Sequence, residues 1–128
     1  MDKQAKGKLG EDAVAAELTR RGHTIIERNY RKPCGEIDII SRSGRFIVFT
    51  EVKTRKLNSM VSGVEAVDLR KRTRIVRTAD LYLGEFETGL QPRYDIAEVT
   101  ITRSDMPRIL RIDIYEDAFD TEGIYTVN

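Results

Sequence analysis

Two apolar segments joined by a short turn each carry ionisable side chains where a buried strand would have none. Residues 35–40 read Gly-Glu-Ile-Asp-Ile-Ile, and residues 46–55 read Phe-Ile-Val-Phe-Thr-Glu-Val-Lys-Thr-Arg. Because alternate side chains of a strand share one face, Glu51 and Lys53 continue an apolar row. Burying a carboxylate such as Asp38 or Glu51 costs several kcal/mol unless a partner compensates its charge. We therefore expect a charged site at the ends of two adjacent core strands.

A divalent cation is the simplest partner for these carboxylates. Asp38 and Glu51 offer the hard oxygen ligands that Mg²⁺ or Mn²⁺ prefers, and the backbone carbonyl of Val52 is a further candidate ligand. Lys53 is placed to hold a metal-activated water or to stabilise charge that develops on a phosphate. This chemistry suits hydrolysis of a phosphodiester, and it suits other metal-assisted hydrolyses nearly as well.

The rest of the chain predicts a single domain of the α/β (α+β) class, with residues 7–116 as its core. The expected elements are helices at 3–21 and 64–84, and strands at 24–29, 35–42, 45–55, 93–102 and 108–115. Their order, α-β-β-β-α-β-β, predicts a central mixed five-stranded sheet flanked by the two helices. The strands that contain the segments 37–40 and 46–49 are continuously apolar, which places them in the middle of the sheet. A polar loop is expected at 57–63.

The 128-residue chain has a net charge of +1, but this charge is distributed unevenly. After Arg111 there are acidic residues and no lysine or arginine: Asp113, Glu116, Asp117, Asp120 and Glu122. This pattern predicts a basic face on the domain and an acidic tail, residues 117–128, that lies away from it. The single cysteine, Cys34, cannot form an internal disulfide, which indicates a cytoplasmic location. No apolar segment has the length of a membrane span, so we expect no membrane association.

Polar residues on the two helices provide further candidates. Glu11 falls on the apolar stripe of the first helix, where a structural pairing with an arginine is the alternative. Lys71 lies between Val67 and Ile75 on the second helix, where it can also extend to solvent without a functional role. A separate row on the second helix is either a solvated face or a phosphate contact, and comprises Arg70, Arg74 and Arg77.

The joint pattern resembles the YraN family of small bacterial proteins. The likeness includes the segments 35–40 and 49–55, Gly10-Glu11, Lys71, and Arg93-Tyr94-Asp95-Ile96. That family is similar to the PD-(D/E)xK nuclease superfamily, particularly to archaeal Holliday-junction resolvases. The resemblance implies a restriction-endonuclease-like core.

The resemblance also implies roles for individual residues. Asp38 and Glu51 correspond to the metal ligands and Lys53 to the catalytic lysine. Glu11 matches the acidic residue that the superfamily often supplies from its first helix, and Lys71 matches a polar position on the helix after the Glu-x-Lys strand. Glu36 also belongs to the pattern, but this position has no fixed role in the superfamily.

The leading hypothesis is a Mg²⁺- or Mn²⁺-dependent endonuclease that acts on structured or branched DNA. The alternative is a non-catalytic nucleic-acid-binding module with the same fold, and a protein–protein adaptor is a third reading that draws only on the acidic tail. Arg55, Arg70, Lys71 and Arg74 are the expected nucleic-acid contacts. A homodimer is a further expectation, since resolvase-like enzymes commonly pair two active sites.

Overall fold

The computed structural model describes residues 1–60 and 66–124. Seven elements follow one another along the chain: α1 (Lys3–Arg20), β1 (Thr24–Lys32), β2 (Gly35–Ser43), β3 (Phe46–Lys56), α2 (Leu69–Glu85), β4 (Gln91–Ile101) and β5 (Ile109–Phe119). This is the predicted order, α-β-β-β-α-β-β. Neither helix of the described residues has the length and apolar character needed to cross a membrane.

The five strands form one mixed sheet in the order β1-β2-β3-β4-β5. β2 runs antiparallel to both β1 and β3, as consecutive strands joined by short turns do. β3 and β4 are parallel and are connected through α2, whereas β5 returns antiparallel to β4. The predicted mixed five-stranded sheet is therefore confirmed, and β3 is its central strand.

The two helices cover opposite faces of this sheet. Val14 and Leu18 of α1 pack in one cluster with Ile39 and Val99. On the other face, α2 contributes to a larger cluster that also contains strand and C-terminal residues: Tyr30, Ile37, Ile40, Ile47, Phe49, Val67, Ile75, Val76, Ala79, Tyr82, Tyr94, Ile96, Phe119 and Ile124. The side chains of β3 alternate between these two layers, which explains why its apolar segment is continuous.

Several boundaries differ from the sequence-based expectation. β1 continues through Tyr30 to Lys32, which pairs with Gly35, so the loop expected before Gly35 shrinks to a two-residue turn. α2 begins at Leu69 because the side chain of Asp68 accepts a hydrogen bond from the backbone N–H of Lys71 (3.0 Å) and caps the helix. The remaining part of the expected loop and helix start, residues 61–65, lies outside the described residues.

The C-terminal residues contribute to the core beyond position 116. β5 extends to Phe119, and both Phe119 and Ile124 are buried in the cluster under α2. The guanidinium of Arg72 lies over the ring of Phe119, 5.6 Å from its centroid. The described part of the predicted acidic tail therefore packs beside the beginning of α2. Residues 125–128 lie outside the described chain.

Candidate functional site

The central feature of the site is a gap between β2 and β3. Their ladder ends at the pair Ile39–Thr50, whereas β3 continues beside β4 as far as Lys56. Beyond that pair the backbone N–H of Val52 donates to a side chain of β2 rather than continuing the ladder, and the acceptor is Asp38 Oδ2 at 2.8 Å. Because the N–H and C=O of a strand residue face the same neighbour, the carbonyl of Val52 faces the same gap. Asp38 and this carbonyl are thus brought together by the separation of two strands.

Asp38 is electrostatically frustrated at this position. Burial raises the pKa of its carboxyl to about 8, and the negative charge of Glu51 adds to the effect. The hydrogen bond from Val52 acts in the opposite direction, while the charge of Glu11 raises the pKa further. Two crowded carboxylates that hold a proton at neutral pH are a group that a divalent cation would stabilise.

Lys53 lies beside Glu51 on the α2 face of the sheet. Its Nζ is 3.1 Å from Glu51 Oε1, and the two side chains are 27% and 15% exposed. Burial alone would lower the pKa of Lys53, but the neighbouring carboxylate of Glu51 and the charge of Asp38 raise it. The lysine therefore remains an ammonium ion, which suits it to stabilising negative charge rather than to acting as a base.

A second lysine lies directly against the first. The charge of Lys53 is the main cause of a lowered pKa at Lys71, followed by burial. Lys71 and Arg74 line a groove of about 190 Å³ together with Glu51 and Lys53. Three cations around one groove offer an attractive position for an anionic oxygen such as that of a phosphate.

The remaining basic candidates lie differently. Arg70 is exposed and is not among the residues that line this groove. Arg55 has its Nε 3.2 Å from Oε1 of the buried Glu98. Arg55 also donates to the backbone carbonyl of Ser59 at 3.4 Å. The contacts of Arg55 within the protein thus account for its position at the end of β3.

Glu11 and Glu36 face a second and larger opening, a cleft of about 1170 Å³ between α1 and β1. Burial raises the pKa of Glu11, and the positive charge of Arg28 counteracts this effect. Glu36 also lines the smaller groove beside Glu51, so it forms a wall between the two openings. Within residues 1–60 and 66–124, no three carboxylate, imidazole or thiolate groups come close enough to hold a metal ion by themselves. Glu11 consequently adjoins the Asp38–Glu51 pair without completing a three-carboxylate cluster.

Two residues that shape the site had no role assigned to them from the sequence. Gly10 allows α1 to approach β3 closely, since a Cβ at this position would overlap Oγ1 of Thr54. Asn29 lies between the carboxylates of Glu11 and Glu36 on a strand where asparagine is unfavourable. A glycine inside a helix and an asparagine inside a strand were the available signals, since each residue type is disfavoured there and needs a reason.

Comparison with known proteins gives a consistent family assignment. Residues 10–114 match the model of a family described as "Uncharacterised protein family UPF0102". A UPF0102 protein of Moorella thermoacetica is 41% identical over 120 residues, covering 93% of this chain and 98% of that protein. A second from Dictyoglomus thermophilum is 41% identical over 105 residues (81% and 89%), and a third from Syntrophotalea carbinolica is 41% identical over 118 residues (91% and 93%). Since the family match spans most of the sequence, the chain belongs to the UPF0102 family, the YraN family of the sequence analysis.

Proposed function

We propose that this protein is a metal-dependent endonuclease that hydrolyses phosphodiester bonds in structured or branched DNA. The observation that carries the proposal is the position of two crowded carboxylates, Asp38 and Glu51, next to the adjacent ammonium groups of Lys53 and Lys71. A cation at the carboxylates would compensate their mutual repulsion, and a phosphate at the lysines would do the same for theirs. A metal-bound phosphodiester combines these two charges at short range.

The donor set fits Mg²⁺ or Mn²⁺. Asp38, Glu51 and the Val52 carbonyl supply hard oxygen atoms, and Mg²⁺ usually keeps several water ligands rather than a full set of protein ligands. A pair of carboxylates is therefore enough, and Glu11 adds negative charge from α1 without direct coordination. When bound, the metal supplies Lewis acidity at the phosphate and lowers the pKa of its water.

The protein side chains then have separate tasks. Lys53 stabilises the negative charge that grows on the phosphate oxygens in the transition state. Lys71 and Arg74, on the neighbouring helix, bind the phosphate backbone and set its direction across the groove. Arg55 and Arg70 are peripheral nucleic-acid contacts in this proposal. The enzyme acts in the cytoplasm, and a homodimer places two such grooves on the two strands of a branched substrate.

A second candidate function is a nucleic-acid-binding module that does not cut. It is favoured by one observation, that Lys53, Lys71 and Arg74 line one groove, where they can bind a phosphate without a metal ion. The two candidates share the basic groove but differ in their need for Asp38, because a binder gains nothing from a crowded carboxylate near phosphate.

A cleavage panel tests the proposal. Duplex, single-stranded, flap and four-way DNA, with matched RNAs, are incubated with the parent protein in Mg²⁺ or Mn²⁺ and with the variants Asp38→Asn and Lys53→Met. We expect metal-dependent cutting of a branched DNA by the parent and none by either variant, while Lys53→Met retains most of the affinity because one charge contributes little to total phosphate attraction. Binding without cutting in every metal and substrate would favour the second candidate. Cutting that survives Asp38→Asn would overturn the assigned site.

A further inference from the structure

Asn29 has a backbone conformation that β1 does not require. Its φ is +53°, in the left-handed region, although it lies between two residues that pair regularly with β2. Arg28 pairs with Ile39, and Tyr30 pairs with Ile37. Asparagine tolerates this conformation better than other side chains except glycine. The chain thus accepts an unusual backbone geometry at one exposed position of β1, across from Asp38 of β2.

The side chain of Asn29 connects two carboxylates from different elements. With the amide oriented by its hydrogen bonds, the nitrogen donates to Glu11 Oε1 at 2.9 Å and to Glu36 Oε1 at 3.1 Å. Arg31 also donates to Glu36 Oε1, at 3.1 Å. Glu11 lies on α1 and Glu36 on β2, so one amide group joins the helix to the hairpin.

This bridge has an electrostatic consequence. Glu11 and Glu36 carry like charges and repel each other, and two N–H donors of one amide can hold both carboxylates in a fixed orientation. Glu36 in turn forms the wall between the cleft of Glu11 and the groove of Glu51. Loss of the Asn29 amide would therefore alter the position of Glu36 and, with it, the shape of both openings.

We propose that Asn29 is a positioning residue, which fixes Glu11 and Glu36 beside the Asp38–Glu51 pair and so increases the affinity of the site for a divalent cation. The effect on the cation rests on the proposed function, whereas the coupling between Asn29 and Glu11 does not. Partners that hydrogen-bond to metal ligands typically change metal affinity by about 10-fold to 100-fold when they are removed, and Asn29 acts one residue further from the metal, so we expect the lower end of this range.

Asn29→Gly is the discriminating variant. Glycine retains the left-handed backbone without strain but has no amide side chain, so the change separates the conformation from the hydrogen bonds. Asn58 provides a matched control, because its φ is +65° and Asn58→Gly makes the same replacement at another left-handed position.

Two measurements test the inference. The first is a double-mutant cycle with Glu11→Ala, in which denaturant midpoints without metal report the free energy of unfolding. We expect Asn29→Gly to lower this free energy markedly less in the Glu11→Ala background than in the parent. Asn58→Gly should lower it equally in both backgrounds. The second is calorimetry with Mn²⁺ alone, in which we expect Asn29→Gly to weaken binding by about 10-fold and Asn58→Gly to leave it unchanged.

The outcomes are separable from those of the proposed function. If the parent binds no Mn²⁺, the metal site is rejected, and the cycle still decides whether Asn29 holds Glu11. If the parent binds Mn²⁺ and Asn29→Gly behaves like Asn58→Gly in calorimetry, the role of Asn29 toward the cation is rejected. Additive effects in the cycle would reject the positioning of Glu11.

Discussion

At the scale of single residues, the raised pKa of Asp38 makes the stability of the folded protein depend on pH. The pKa of an unperturbed aspartate is about 3.9, whereas that of Asp38 in the folded protein is about 8. Between these values the folded state holds a proton that the unfolded state has released. Stability without metal therefore falls as the pH rises from about 4 to about 8. The cause is burial first and the charge of Glu51 second.

Asp38→Asn should remove this pH dependence. The amide oxygen still accepts the hydrogen bond from Val52, but no proton is released. We expect the variant to be about as stable as the parent at pH 4 and more stable at pH 8, by several kcal/mol, because each pKa unit between about 3.9 and about 8 corresponds to about 1.4 kcal/mol. Denaturant unfolding of both proteins across this pH range, without metal, measures the difference. Parallel pH profiles would show that Asp38 is ionised as usual in the folded state.

Magnesium should raise the stability that ionisation of Asp38 lowers. A cation that binds the native state alone stabilises it by mass action, by about 2.7 kcal/mol at 100 times the dissociation constant. We expect the melting temperature of the parent at pH 8 to rise in millimolar Mg²⁺ and that of Asp38→Asn to stay nearly constant. A parent melting temperature that does not respond to Mg²⁺ or Mn²⁺ would contradict the site. An equal rise in both proteins would place the cation elsewhere.

At the scale of elements, the close packing of α1 against β3 determines where Glu11 lies. Gly10 is buried, and a Cβ there would overlap Oγ1 of Thr54, a stiff β-branched side chain. Three residues earlier, Gly7 has no atom within 4 Å of its ideal Cβ. The same helix thus contains one glycine with a packing role and one without.

Alanine at these two glycines should therefore have opposite effects. Gly7→Ala should stabilise the protein by about 0.5–1 kcal/mol, because alanine is the better helix former. Gly10→Ala should destabilise it by about 1–3 kcal/mol, because the helix must move away from β3 or Thr54 must leave its rotamer. Denaturant midpoints measure both effects. If Gly10→Ala were as stable as Gly7→Ala, the close approach of α1 would not constrain the site.

At the scale of the whole molecule, basic and acidic side chains on the α2 side of the sheet line different grooves. Lys71 and Arg74 line the groove beside Glu51, while Arg77 is exposed one turn further along the helix. The described tail residues line a different groove, with Leu69 and Arg72. The acidic tail therefore leaves the groove of Lys71 accessible within the described part of the chain.

Charge reversal on α2 tests the proposed binding of nucleic acid. Lys71→Glu combined with Arg74→Glu should weaken DNA binding at least tenfold and reduce its salt dependence by about two phosphate contacts. Arg77→Glu is the control for reversal of a single exposed charge, and we expect it to have a smaller effect. If Arg70, Arg74 and Arg77 instead acted as one row, each charge would contribute equally. Affinity measured as a function of salt concentration gives both quantities. An equal loss for Arg77→Glu would indicate a broad electrostatic surface rather than a specific groove.

Local patterns were sufficient for the elements and for part of the site. Period-two alternation placed Glu51 and Lys53 on one face of β3, and their 3.1 Å contact follows from that spacing. The order of elements and the mixed sheet were also predicted from local signals, because strand and helix periodicities depend on neighbours in sequence. Boundaries were less accurate where a distant contact decided them, as when Phe119 and Ile124 extended the core into a segment that looked like a polar tail.

The sequence by itself determined the order of helices and strands and the shared face of Glu51 and Lys53, since both are local properties. Only the tertiary structure decided that β2 and β3 separate at Asp38, that Lys71 lies against Lys53, and that Asn29 joins Glu11 to Glu36. Each of these contacts joins residues from different elements, so its existence depends on helix and strand packing rather than on spacing along the chain. The physical reason is that charge interactions act through distance in space, and that distance is set by the assembled core.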